Sequence, residues 1–188
     1  MMKSKHGAAI AGGVLAVVIT GCAAHTVQTT GSSGAGDPGS PGKAKLARSA
    51  TATTGSAITL SGNSGGEQMS VTVVKVINDA QGVDYTSPPA GDRLYAVQFR
   101  LRDTGSAAYS DSPSNGAEVV DSAGQSYESA MGDSVGDCVS FPATENITPG
   151  AVGLGCIVFE VPVKAKITSV QFTLDSGMGP QTGQWKVG

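Results

Sequence analysis

The sequence predicts an all-β fold for residues 55–188, an antiparallel β-sandwich of seven or eight short strands, and three observations predict it. Apolar residues alternate with polar ones over short runs, the period-2 pattern of a strand with one buried and one wet face. No stretch of 12 or more residues in this segment holds the 3.6-residue period of an amphipathic helix. Gly, Pro, Asn, Asp and Ser recur between the runs at the spacing of turns in a sandwich. At 134 residues the segment is long enough for one domain burying about two thirds of its unfolded surface.

Ala57 to Leu60 is the first short strand, and Gly62-Asn63-Ser64-Gly65-Gly66 turns the chain into Gln68 to Ile77. There Met69, Val71 and Val73 alternate with Ser70 and Thr72, and the adjacent pair Val73 and Val74 shifts the phase to Val74 and Val76, as a bulge would. Pro88 and Pro89 mark a loop before the clearest strand, Leu94 to Asp103. Its Tyr95, Val97, Phe99 and Leu101 face one way, and Gln98, Arg100 and Arg102 face the other. Charges on a wet face are the default, and the same two arginines are candidates for a contact patch.

Ala117 to Asp121 and Gln125 to Ser129 flank Ser122-Ala123-Gly124 as a hairpin. Gly153 to Val161 is almost continuously apolar, which predicts a central strand. The turn Pro149-Gly150 leads into it, and Pro162, which cannot donate to a ladder, ends it. Val170, Phe172 and Leu174 make another alternating strand, and Trp185 and Val187 close the sheet.

Composition shifts abruptly near position 55. Residues 23–54 are mostly Ala, Gly, Ser, Thr and Pro, with no aromatic residue and only Val27 and Leu46 as larger apolar side chains. Such a segment buries too little surface to offset its ordering entropy, so residues 22–54 read as a disordered linker averaging roughly 30 Å end to end. Lys43, Lys45 and Arg48 either keep it soluble or rest against anionic lipid or wall polymer.

Ahead of the linker, Lys3 and Lys5 precede a 12-residue apolar segment from Ala8 to Ile19, the charged and apolar regions of a secretory signal. Ile19-Thr20-Gly21-Cys22 resembles the lipobox of bacterial lipoproteins, in which a small residue precedes a cysteine that is lipidated and becomes the mature N-terminus. The resemblance implies a signal peptide over residues 1–21, and acyl chains such as palmitate on a diacylglyceryl group at Cys22. It also implies a chain held at the extracellular side of the cell membrane. Two chains anchor stably where one is marginal. The alternative is an uncleaved anchor, since residues 7–24 carry no charge.

Three blocks carry a second resemblance: GNSGGEQMSVTVVKVIND, GDRLYAVQFRLRDTG, and ITPGAVGLGCIVFEVP followed by KAKITSVQFTL. They resemble a domain of unknown function found on surface lipoproteins of actinobacteria and other Gram-positive bacteria, similar in fold to the mycobacterial immunoprotective extracellular antigen family. The resemblance implies an immunoglobulin-like sandwich over residues 55–188 and no established activity. It transfers no catalytic residue.

Residues 55–188 carry 14 acidic and seven basic side chains, a net charge of −7, whereas residues 1–54 carry +4. An acidic head on a basic stalk suits nucleic acid poorly, and no such partner is expected. No Gly-rich phosphate loop is present and no cofactor is expected. Both histidines, His6 and His25, precede position 55, which removes Ser-His-Asp and Cys-His catalysis and imidazole metal sites from the head. Asp121, Glu128, Asp133 and Asp137 lie close enough in sequence to offer a glycosidase carboxylate pair or a calcium site, although their spacing fits no EF-hand loop.

With Cys22 lipidated, Cys138 and Cys156 remain, and an oxidising compartment favours a disulfide between them. Cys156 shares strand parity with Glu160, while Ile157, Phe159 and Val161 make the better core face. This places the bridge at the periphery, pinning the loop from 138 to 155. Together these features predict a lipid-anchored binding or scaffold module that is no enzyme, contacting protein or cell-wall polymer through loops or a sheet face. The alternative is a calcium-dependent receptor or carboxylate-based hydrolase on the acidic loops, and converging carboxylates would favour it.

Overall fold

Two five-stranded sheets face each other in the computed structural model, which describes residues 28–30, 51–136 and 138–188. Sheet A runs in the order β1 (Gln28–Thr30), β3 (Ala57–Ser61), β4 (Gln68–Ile77), β5 (Asp92–Asp103) and β10 (Val152–Pro162). Sheet B runs β2 (Thr51–Thr53), β12 (Thr182–Lys186), β11 (Ile167–Thr173), β7 (Ala117–Asp121) and β8 (Ser126–Glu128). A two-stranded ribbon, β6 (Tyr109–Asp111) with β9 (Glu145–Ile147), flanks them. Neighbouring strands are antiparallel except β2 on β12. One turn of 3-10 helix, Pro113–Gly116, is the only helical element among the described residues.

The protein is therefore a β-sandwich, as predicted. Eight of its strands are those expected from the sequence, and four short ones, β1, β2, β6 and β9, are additional. Two of these fall inside residues 22–54, so the sandwich takes in pieces of the segment assigned to the linker. The physical reason is that pairing along a sheet edge needs backbone groups and few apolar side chains. β1 lies along β3, and β2 lies along β12 with Ala52 buried.

The main core fills the space between the sheets. From sheet A come Ile58, Leu60, Met69, Val71, Val73, Val97, Phe99 and Leu101, and from sheet B come Val119, Val170, Phe172 and Trp185, each fully enclosed. The rings of Phe99 and Phe172 meet across the sheets with centroids 5.2 Å apart and planes tilted by 48°. Buried Trp185 donates its indole N–H to the Ser56 carbonyl at 2.8 Å, which satisfies the one polar group it brings inside. The register shift expected in β4 falls between Val73 and Lys75, and it returns Val76 to the core side.

β10 corrects one expectation. Its apolar run predicted a central strand, yet it pairs by a ladder with β5 alone and stands at the edge of sheet A. From Gly155 to Phe159 it is buried on both faces because both are covered there. Ile157, Phe159 and Val161 enter the main core, while Cys156 and Val158 enter a second, smaller one with Ala80, Leu94, Ala96, Val135 and Cys138. The loops around 78–91 and 129–141 form the lid of this second core. They hold each other through Val83 N–H to Ser134 O (3.1 Å) and Gly136 N–H to Gln81 O (3.0 Å). They hold β10 through Ala130 N–H to Val158 O (2.8 Å) and Cys156 N–H to Val139 O (2.8 Å). On the inner side, Phe141 lies so close over Gly155 that a Cβ there would sit 2.6 Å from the ring.

The lid covers only half of the outer face of sheet A. No described residue covers the other half, which displays Thr59 and Ser61 of β3, Ser70 and Thr72 of β4, Gln98, Arg100 and Arg102 of β5, and Val152 and Leu154 of β10.

Candidate functional site

The anchor candidate Cys22, together with His6, His25, Lys43, Lys45, Arg48 and Asp137, lies outside the described residues. No helix among the described residues is long and apolar enough to cross a membrane. Cys138 and Cys156 are bonded, with Cα atoms 5.8 Å apart. The bridge sits outside the main core, as parity suggested, but it is enclosed in the second core: Cys156 is 1% exposed and Cys138 8%. It fastens the 129–141 lid to β10.

The acidic residues singled out in the sequence do not converge. Asp121 serves its own hairpin, accepting N–H bonds from Ala123 (2.8 Å) and Gln125 (2.9 Å) and the Tyr127 hydroxyl (3.0 Å). The Gln125 backbone bond leads the effects that hold its carboxyl below the ordinary range. Glu128 is exposed on β8, directly across from Glu118 on β7. Asp133 belongs to the lid, where burial pushes its carboxyl up. Its Oδ2 lacks a partner, as does Oγ of Ser140, and both residues line a cleft of about 330 Å³ beside Phe141 and Val158. Among the described residues, no group of three or more His, Cys, Asp or Glu side chains is placed to hold a metal ion.

A different acidic set does meet, at one end of the sandwich. The turn after β3, the ends of β5 and β6 and the turn after β11 bring Asp103, Asp111 and Asp175 within electrostatic reach of Glu67. Asp111 accepts bonds from Ser112 N–H (2.7 Å) and from both N–H and Oγ of Ser176, and Asp175 accepts from Asn63 N–H at 2.8 Å. Asp103, 1% exposed, accepts from Gly105 N–H at 2.9 Å through Oδ1, while its Oδ2 is unpartnered. Burial first, then repulsion from Asp175, raises the Glu67 carboxyl. Tyr109 is buried beside this set with its hydroxyl unpartnered, and burial raises its phenol far above the ordinary range. These carboxylates are spread from position 67 to position 175 over four elements and turns, so no spacing rule applied to the chain could have found the set. Their hydrogen bonds tie one turn to the next, which is a structural task.

The basic residues divide by what they touch. Arg93 is consumed internally: it donates to Asn78 Oδ1 (3.0 Å), Pro162 O (2.6 Å) and Ala165 O (3.0 Å), and it pairs with Asp79 at 3.2 Å. It joins the end of β4 to the turn after β10 and lines a cleft of about 410 Å³. Arg100 and Arg102 are exposed on the open half of sheet A and make no hydrogen bond or ion pair among the described residues. In the ladders Arg100 stands between Thr72 and Leu154, and Arg102 between Ser70 and Val152. Val152 and Leu154 are each about half exposed, at 52% and 53%. None of the open half's displayed side chains is a carboxylate, whereas the outer face of sheet B carries Glu118 and Glu128. A surface of free guanidinium groups, hydroxyls and aliphatic side chains can bind a partner and offers no nucleophile–base pair.

Residues 63–181 match the family described as Domain of unknown function (DUF4352). Among solved structures, the secreted protein MPT63 of Mycobacterium tuberculosis aligns with a TM-score of 0.53 at 17% identity, covering 75% of this chain and 99% of that one. That likeness bears on the fold. The yjhA protein of Bacillus subtilis aligns with a TM-score of 0.48 at 12% identity, covering 73% of this chain and 100% of its own. A beta-sandwich protein of Clostridium difficile 630 aligns with a TM-score of 0.45 at 13% identity, covering 78% and 100%. None of the curated proteins matches. The resemblance read from the blocks at 62–79, 91–105 and 147–174 is thus to the family that matches.

Proposed function

The chain belongs to the family described as Domain of unknown function (DUF4352), and on that premise we propose that it is a lipid-anchored binding or scaffold module, held outside the cell membrane through Cys22, whose open half of sheet A contacts protein or cell-wall polymer. One observation carries the reading. Arg100 and Arg102 spend no charge on the fold, unlike Arg93, and stand on a sheet face that nothing in the chain's described residues covers. A fold whose loops half cover a face, and leave the charged half bare, has that half available for another molecule. The dispersed positions of Asp121, Glu128 and Asp133 lend no support to the calcium-dependent or hydrolytic alternative.

The test places a photo-crosslinking side chain in the full-length chain in intact cells. Positions Thr72 and Leu154 report on sheet A, and Glu118 reports on sheet B. The expected result is an adduct, containing this chain and another molecule, from the sheet A positions at several times the yield from Glu118. Equal yields, or adducts from Glu118 alone, would overturn the assignment of the face.

A further inference from the structure

Resting on that reading of sheet A, we propose that its partner is a linear polyol phosphate polymer, whose successive phosphodiesters are gripped by Arg100 and Arg102. Residues two apart on one face of a strand stand about 7 Å apart, close to one repeat of a three-carbon phosphodiester chain. Both guanidinium groups are unpaired among the described residues and lie on the same face of β5, and a guanidinium fork matches the paired oxygens of a phosphate. Around them the face supplies what a polyol needs. Ser70, Thr72 and Gln98 offer neutral donors and acceptors, and Val152 and Leu154 offer an apolar margin for its methylene groups. The absence of a carboxylate among these displayed side chains, in a head of net charge −7, removes the local repulsion that an anion would meet elsewhere.

The geometry disfavours two other anionic partners. A peptide strand gains its affinity by pairing with a sheet edge, but the arginines stand on β5, which is paired on both sides by β4 and β10, so a strand added at the edge beyond β10 would lie two strand spacings, about 10 Å, from them. A peptide side chain anchors in a pocket, and none of the clefts described above is lined by Arg100 or Arg102. A membrane surface is held by apolar side chains that insert, and here the aliphatic pair lies to one side of the arginines with no aromatic residue on the open half.

The probe is poly(glycerol phosphate), titrated into the chain from residue 23 onward at several salt concentrations. The wild type should bind, more weakly as salt rises. Arg100→Gln/Arg102→Gln should bind about tenfold more weakly or worse and flatten the slope of log affinity against log salt by about 1.4, two charges on a flexible polyanion. Lys164→Gln/Lys186→Gln removes two exposed positive charges elsewhere and should leave binding within about twofold. Arg100→Lys/Arg102→Lys keeps the charge, loses the fork and should fall between. Near-ultraviolet circular dichroism from Trp185 checks that each variant is folded. The proposal is overturned by any of three results: no binding by the wild type, equal loss in the lysine control, or binding to poly-glutamate or phosphatidylglycerol vesicles as tight as to the polymer. If the polymer fails while Thr72 and Leu154 still crosslink in cells, the face stands and its partner has another chemistry.

Discussion

Burial lifts the Glu67 carboxyl above the ordinary carboxylate range, and the charge of Asp175, then those of Asp111 and Asp103, add to the rise, against an opposing backbone hydrogen bond at Ser64 that is weaker than burial or Asp175. The folded state therefore keeps this proton to a higher pH than the unfolded chain does. Below the unfolded value both states are protonated and the contribution is complete. As pH rises through the folded value, the unfolded state releases the proton more readily and the contribution is lost. Glu67→Gln should remove that loss. Thermal unfolding from pH 4 to pH 8 is expected to show the variant gaining on the wild type as pH rises, with the smallest difference at the acid end. A difference independent of pH would show that the charge of Glu67 is not felt by the fold. At the same scale, Arg100 and Arg102 make no hydrogen bond or ion pair among the described residues.

Elements built by alternation were legible in the sequence, and those built by tertiary circumstance were not. β4 came out at Gln68–Ile77 with its bulge because one buried face imposes a strict period of two. β6 and β9 are three residues each, too short to show a period, and β1 and β2 borrow their order from the strands beside them. β10 misled because a continuous apolar run records burial of both faces without saying what buries them. There it is the disulfide-fastened lid, which predicts a local effect of reduction. Closing a loop of this length contributes about 3 kcal/mol on the chain-entropy model. Reduction, or Cys138→Ala, should lower the melting temperature and speed amide exchange in 129–141. It should leave the Trp185 signal intact at room temperature, since the main core does not include either cysteine. Two free thiols in the exported, unreduced protein, or loss of the Trp185 signal on reduction, would contradict this. The interaction face was half legible: the wet side of β5 was evident, but its freedom from partners needed the third dimension.

At the scale of the whole molecule, the head is acidic and the segment before it is basic, so charge alone holds the head poorly against an anionic membrane. If Cys22 is the acylated N-terminus, its two chains carry the attachment, because Cys138 and Cys156 are bonded to each other and leave no other sulfur to accept lipid. Cys22→Ser should then move the protein out of the membrane fraction. Whatever attraction remains comes from Lys43, Lys45 and Arg48, worth at most about 1 kcal/mol each near an anionic surface, and opposed by the net charge of the head. Salt should strip that residual binding from the variant and not from the wild type, because screening weakens charge contacts and leaves buried methylenes untouched. Mass spectrometry of the wild type should find Cys22 as the first residue, carrying lipid. A variant as firmly bound as the wild type would instead mean that residues 7–24 hold the chain as an uncleaved anchor. The open half of sheet A would then be presented from the same side by a different attachment, so the reading of the face does not depend on this outcome.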